Sequence, residues 1–109
     1  MLTRESVQEL KSEMALEESA LPLIFNALSD SGRFHIFKVL LTNEGLCVTD
    51  IAKVLSISVP AASQQLKLLE LSGLIARERH GQMICYRVKR DDVVVRSLVR
   101  LIGQPVTES

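Results

Sequence analysis

Between Ser58 and Lys67 the chain gathers side chains that make hydrogen bonds without making covalent ones: Ser58, Ser63, Gln64, Gln65 and Lys67, with the small or rigid Pro60 and Ala61 among them. A glutamine amide donates and accepts at once, which matches the adjacent donor and acceptor on the edge of adenine. Serine hydroxyls bond phosphate or base edges, and small residues let a backbone come close. Downstream, Arg77, Arg79, His80, Gly81 and Gln82 form a basic segment suited to phosphate oxygens or a minor groove. The chemistry on offer is recognition of a polyanion with readable edges. The chain shows no nucleophile–base pair, phosphate loop or paired carboxylates, so no catalytic residue, no enzyme activity and no cofactor is expected.

Hydrophobic spacing shows which elements must carry these residues. Ser58 is placed to cap a helix with Pro60 in its first turn, where a missing N–H costs nothing. Val59, Ala62, Leu66 and Leu69 recur on its inward side, and Ser72-Gly73 ends it. A short helix from Asp50 to Leu55, capped by Thr49, precedes it across the tight connector Ser56-Ile57-Ser58. Two helices so joined make a helix-turn-helix, whose second helix enters the major groove. After it the period changes to two. Residues 74–79 and 83–88 flank His80-Gly81-Gln82 as a β-hairpin, with Ile84, Tyr86 and Val88 on one side and Met83, Cys85 and Arg87 on the other.

Upstream, Val7, Leu10 and Met14 define a helix over 3–18, and Leu21 to Leu28 a second, set apart by Pro22. The turn Ser29-Asp30-Ser31-Gly32 leads into a third, carrying Phe34, Phe37, Leu40 and Leu41 and stopping near Gly45. Leu46-Cys47-Val48 reads as a brief strand. Asp91 or Asp92 caps a last helix, and the tail from Gly103 is expected to fray. The fold class is mainly α with a small β-hairpin (α+β), a winged helix-turn-helix. It forms a single domain over 1–109, with an N-terminal helix in 1–20, a core in 21–90 and a C-terminal helix in 91–102.

Residues 58–90 hold six Lys or Arg against two Glu, whereas residues 1–30 hold two against six acids, so a chain of net charge zero still carries a basic segment. One Tyr, three Phe and no Trp argue against a stacking platform for single-stranded nucleic acid. No apolar run is long enough for a bilayer or for a leader, so a cytoplasmic protein with no membrane partner is expected. Two cysteines are too few for a disulfide framework and are expected as free thiols.

Residues 21–102 resemble the ArsR/SmtB family of winged-helix repressors. The matching pieces are Phe25-Asn26-Ala27-Leu28-Ser29-Asp30 with Arg33 and Ile36, then Val48-Thr49-Asp50-Ile51-Ala52. Ser63-Gln64-Gln65-Leu66-Lys67-Leu68-Leu69-Glu70 follows, running into Ser72-Gly73-Leu74-Ile75, and then Gly81-Gln82 through Tyr86-Arg87-Val88. The family often has His at the position of Gln65. The resemblance implies a homodimer, a palindromic operator in double-stranded DNA, and release by an effector whose identity is unknown. It also implies a dimer interface built by the first and last helices: Val7, Leu10 and Met14 with Val94, Val95, Leu98, Leu101 and Ile102. Independently, the apolar residues of the last helix cover more than one face.

Family metal sites do not carry over. Cys47 matches the first thiolate of a Leu-Cys-Val-Cys-Asp signature, but Thr49 replaces the second, and residues 91–102 contain no His. No metal is expected by either family arrangement. In a winged helix the short strand at Cys47 pairs with the second hairpin strand; with Leu46 and Val48 facing the core, Cys47 and Cys85 point outward together, close enough for a redox switch, an effector role or a small metal site, while two unrelated, partly buried cysteines are the plainer reading. The competing function is a winged helix for protein–protein contact without DNA binding, which would lack steep salt dependence.

Overall fold

Capping side chains and left-handed glycines divide the chain into its elements. The computed structural model describes residues 1–16 and 20–103. Helix α1 covers Arg4–Leu16, α2 Leu21–Leu28 and α3 Ser31–Thr42; strand β1 is Leu46–Cys47; α4 covers Val48–Leu55 and α5 Val59–Leu71; β2 is Ile75–His80, β3 Met83–Val88, and α6 Val93–Gly103. Positions 17 and 18 of the expected first helix, and the tail after Gly103, lie outside the described residues.

Thr3 Oγ1 accepts the Ser6 N–H at 3.0 Å and starts α1. Pro22 occupies the first turn of α2. Asp30 caps α3 by accepting the Arg33 N–H at 3.0 Å. Ser58 caps α5 by accepting the Ala61 N–H at 3.2 Å. Of the two candidate aspartates before α6, Asp92 does the capping, its Oδ1 accepting from Val94 at 2.9 Å and Val95 at 3.1 Å. Gly73 ends α5 with φ +86°, a conformation that glycine adopts without the usual Cβ penalty.

The helices close over a three-stranded antiparallel sheet in the order β1-β3-β2. Leu46 and Cys47 oppose Tyr86 and Cys85, and β2 pairs along its length from Ile75↔Val88 to His80↔Met83. The core is built from Ile36, Phe37 and Leu40 of α3, Ile51 of α4, Leu66 and Leu69 of α5, Leu74, Ile75 and Val88 around the sheet, and Val95 of α6, all fully buried. Each such large side chain contributes about 1.5–3 kcal/mol by leaving water. No described side chain of α1 belongs to this core.

Several expectations change. Val48 opens α4 rather than extending the strand, and the cap is Cys47, not Thr49. The Asp50 carboxylate reaches back to the Cys47 N–H at 2.9 Å, half of a capping box, and starts the helix two residues early. Val59, expected inward, sits at the first turn of α5 beyond the edge of the core and is exposed. Val95 and Leu98, expected at a dimer interface, are buried in the single chain because α6 packs its inner side against α3. The cysteines are not free thiols facing water but a buried disulfide.

Candidate nucleic-acid interface

The turn before α5 fixes how that helix is presented. Ser56 adopts the left-handed conformation (φ 56°, ψ 44°), and the Ile57 N–H returns to the Ala52 carbonyl at 3.0 Å. Ser58 then caps, and Pro60 lies in the first turn. Ala62, Leu66 and Leu69 lock one side of α5 into the core. On the opposite side Pro60, Gln64, Lys67 and Leu71 recur at spacings of four, three and four, and all are exposed, as are Ala61 and Ser63. Gln64 and Lys67 form no hydrogen bond or ion pair with other described residues, so a donor–acceptor amide and a cation stand free on one helical face.

Gln65 departs from the sequence expectation. It is half-buried, its Nε2 donating to Asp30 Oδ2 at 3.3 Å and its Oε1 accepting from Arg33 Nη1 at 3.2 Å. Its amide is already engaged, and it joins α5 to the start of α3 instead of facing outward with Gln64. Arg33 also donates to the carbonyls of Ala27 at 2.7 Å and Asn26 at 3.4 Å, so one guanidinium ties the end of α2, the start of α3 and α5 together. The Asp30 carboxyl is held below its ordinary value, first by the Arg33 backbone N–H, with the Arg33 charge and the Gln65 amide assisting against a partial burial. A Cβ at Gly32 would come within 3.1 Å of Asp30 Oδ2 and 3.3 Å of Gln65 Nε2, so glycine gives this cluster its room. Sequence reading missed Arg33 as a functional support; the signal available was Asp30 three residues before an Arg at a helix start.

The hairpin places its cations unequally. Arg77 Nε pairs with Glu70 Oε2 at 3.3 Å and ties the root of β2 to α5. Arg79 Nε donates to the Gly81 carbonyl at 3.1 Å and clasps the tip, where Gly81 has φ +65°. Exposed His80 approaches Glu78 at 3.4 Å, and Arg87 Nε bonds Glu78 Oε2 at 2.6 Å. The Arg87 hydrogen bond, followed by that of His80, holds the Glu78 carboxyl below its ordinary value. Burial, reinforced by the Glu70 charge, pushes the Tyr86 phenol up. Gln82 is exposed beside the tip. Arg79 and His80 therefore sit at the outer end of the hairpin, while Arg77 and Arg87 carry local carboxylate partners.

The remaining expected residues separate into two groups. Val7, Leu10 and Met14 of α1, with Val94 and Leu101 of α6, expose apolar surface, and Ile102 is half-buried. Cys47 and Cys85 lie opposite one another with Cα atoms 4.0 Å apart. Among the described residues no group of three or more His, Cys, Asp or Glu is arranged to hold a metal ion.

A model of the arsR family of bacterial regulatory proteins matches residues 30–77. The chain is 37% identical over 76 residues to a cadmium resistance transcriptional regulatory protein CadC homolog of Staphylococcus aureus, a match covering 70% of this chain and 61% of that protein. It is 30% identical over 107 residues to a transcriptional repressor SmtB homolog of Synechocystis sp., covering 96% of this chain and 79% of that protein. Among solved structures it superposes on reduced HlyU from Vibrio cholerae with TM-score 0.63 and 26% identity, over 89% of this chain and 99% of that one.

Proposed function

The chain belongs to the arsR family of bacterial regulatory proteins and is a DNA-binding transcriptional regulator; from that premise we propose that it works as a homodimeric repressor released by an effector. In this reading α5 of each protomer enters the major groove of one half of a palindromic operator. Gln64 reads base edges, Ser58, Ser63 and Lys67 meet the backbone, and Pro60 and Ala61 let the helix N-terminus approach closely. The hairpin tip, Arg79 to Gln82, reaches the flanking phosphates or minor groove, with Arg77 bracing its root. Gln65 serves by holding α5 at its angle through Asp30 and Arg33. The observation that carries the reading is the exposed row Pro60-Gln64-Lys67 on a helix whose other side is locked into the core.

Two protomers meet through α1 and the outer side of α6, where the single chain leaves Val7, Leu10, Met14, Val94 and Leu101 exposed. Relatives of this kind are transcriptional regulators rather than enzymes, and the proposed role includes no catalysis and no cofactor. No helix among the described residues is long and apolar enough to cross a membrane, which suits the cytoplasmic location proposed here.

Fluorescence anisotropy against a duplex from the region upstream of the protein's own gene tests this, with scrambled duplex as control and two salt concentrations. Selective binding at two protomers per site, weakening steeply with salt, is expected. Binding equal to that of scrambled duplex overturns the reading. Gln64→Ala is expected to cost about 1–3 kcal/mol on the true site and little on scrambled duplex. Lys67→Ala should weaken binding to both alike and reduce the salt slope by about one.

A further inference from the structure

The interface described above makes no use of Cys47 and Cys85. Cys47 belongs to two structures at once. It is the second residue of β1, a two-residue strand at the sheet edge paired only with β3, and it is also the N-cap of α4, the first helix of the helix-turn-helix. Cys85 lies within β3, whose other side carries β2, with Glu78 directly opposite Cys85 and Arg77 opposite Tyr86. A bond between them, across a sequence separation of 38, therefore ties the helix-turn-helix to the wing.

We propose that Cys47 and Cys85 form a reversible dithiol–disulfide site acted on by small-molecule disulfides and thiols, and that closing it holds the helix-turn-helix and wing in the arrangement that binds DNA. The second half of this statement rests on the DNA-binding reading. To close the site, the thiolate of one cysteine attacks a sulfur of a small-molecule disulfide. That S–S bond breaks, and one small thiolate leaves with the electron pair. The other cysteine thiolate then attacks the protein-side sulfur of the mixed disulfide and expels the second small thiolate. The protein loses two electrons, and the two thiol protons pass to the two small thiols formed. Opening is the reverse, with a small-molecule thiol as reductant.

Both sulfur-bearing residues are buried, Cys47 at 8% and Cys85 at 5% exposure, so exchange requires local opening. Strand β1, two residues long and paired on one side only, is an element that opens at low cost. Its departure carries away the N-cap of α4, so the motion that admits a reagent is one that separates the helix-turn-helix from the wing. DNA gripping both would oppose that motion and protect the site. Conversely, a closed bond meets in advance part of the ordering cost of holding two units against one duplex, and the disulfide form binds more tightly.

The test uses the full chain treated with oxidised glutathione or with dithiothreitol. Maleimide labelling after unfolding and peptide mapping report the thiol state; anisotropy on the upstream duplex reports affinity. We expect reversible formation of a Cys47–Cys85 bond and slower reduction when duplex is bound. The disulfide form should bind more tightly, by at least about threefold as the threshold set for this test, because the bond removes part of the ordering cost, and this difference should vanish in Cys85→Ala. Failure to form the bond, a difference below threefold, or tighter binding by the dithiol form overturns the proposal. If neither form prefers the upstream duplex, the DNA reading fails and the proposed coupling fails with it, while the labelling arm still decides whether the dithiol site exists.

Discussion

Leu66 and Leu101 are the same residue on helices of similar length, yet one has no exposed surface and the other is 79% exposed. The contrast extends to their surroundings. The α3–α4–α5 body and its sheet bury Ile36, Phe37, Ile51, Leu66 and Leu69 completely within one chain. Helix α1 and the outer side of α6 carry apolar side chains at helical spacing, Val7, Leu10 and Met14 on one and Val94 and Leu101 on the other, and this chain covers none of them fully. The body closes its own core, whereas the terminal helices keep apolar side chains on the surface, which is where the proposed dimer contact lies. Helix α6 spans the boundary, with Val95 fixed inside and Leu101 outside.

The largest effect should come from damaging the body. Phe37→Ala is expected to cost about 3–5 kcal/mol in urea unfolding, from lost burial plus the cavity left behind. A loss under about 1 kcal/mol would mean that the core is less closely packed than its burial implies. The two sides of α6 sharpen the contrast further. Val95→Glu should unfold the chain, because an unpaired charge would enter the core. Leu101→Glu should leave circular dichroism unchanged and weaken self-association at least about tenfold in sedimentation, about 1.4 kcal/mol. Equal sedimentation of wild type and Leu101→Glu would break the proposed division of labour.

The smallest effect lies on the exposed wing. Because Arg87 and His80 depress the Glu78 carboxyl below its ordinary 4.5, the folded hairpin favours the ionised form. The resulting stabilisation is present above the ordinary carboxylate range and is lost as pH falls through the lowered folded value. Thermal melts should therefore show a slight advantage of wild type over Glu78→Gln at neutral pH that narrows under acid, and a gap independent of pH would discount the pair. The effect is small because the partners are partly exposed.

Local signals in the sequence were reliable where a single residue decides the geometry. Ser58 capping α5, Pro22 dividing the first two helices, Gly73 stopping α5 and the hairpin around Gly81 could all be read from residue type and position. Differences arose where a long-range partner decides. Gln64 and Gln65 are indistinguishable as letters, but Asp30 and Arg33, more than thirty residues away, turn only the second inward. Alternation placed Cys47 and Cys85 on one side of the sheet, yet whether that side is wet depends on how β1 and α4 close over β3. The valines of α6 offered two buried faces, and only the position of α3 shows which is internal. The Thr49 cap gave way to Cys47 because the Asp50 carboxylate reaches back three residues.

The hairpin tip has a further consequence. A Cβ placed at Gly81 would meet nothing within 4 Å, while the strands leading to it are anchored at the root by Arg77 and Glu70. Outward of the buried Cys85, at the His80↔Met83 end, the ribbon could gain residue pairs without disturbing a buried residue. Each added residue would extend a strand by about 3.3 Å. Such a ribbon is an adjustable arm on a fixed shoulder: in the proposed complex its span along a duplex could drift between related proteins, or be lengthened by design, while α5 stays in place.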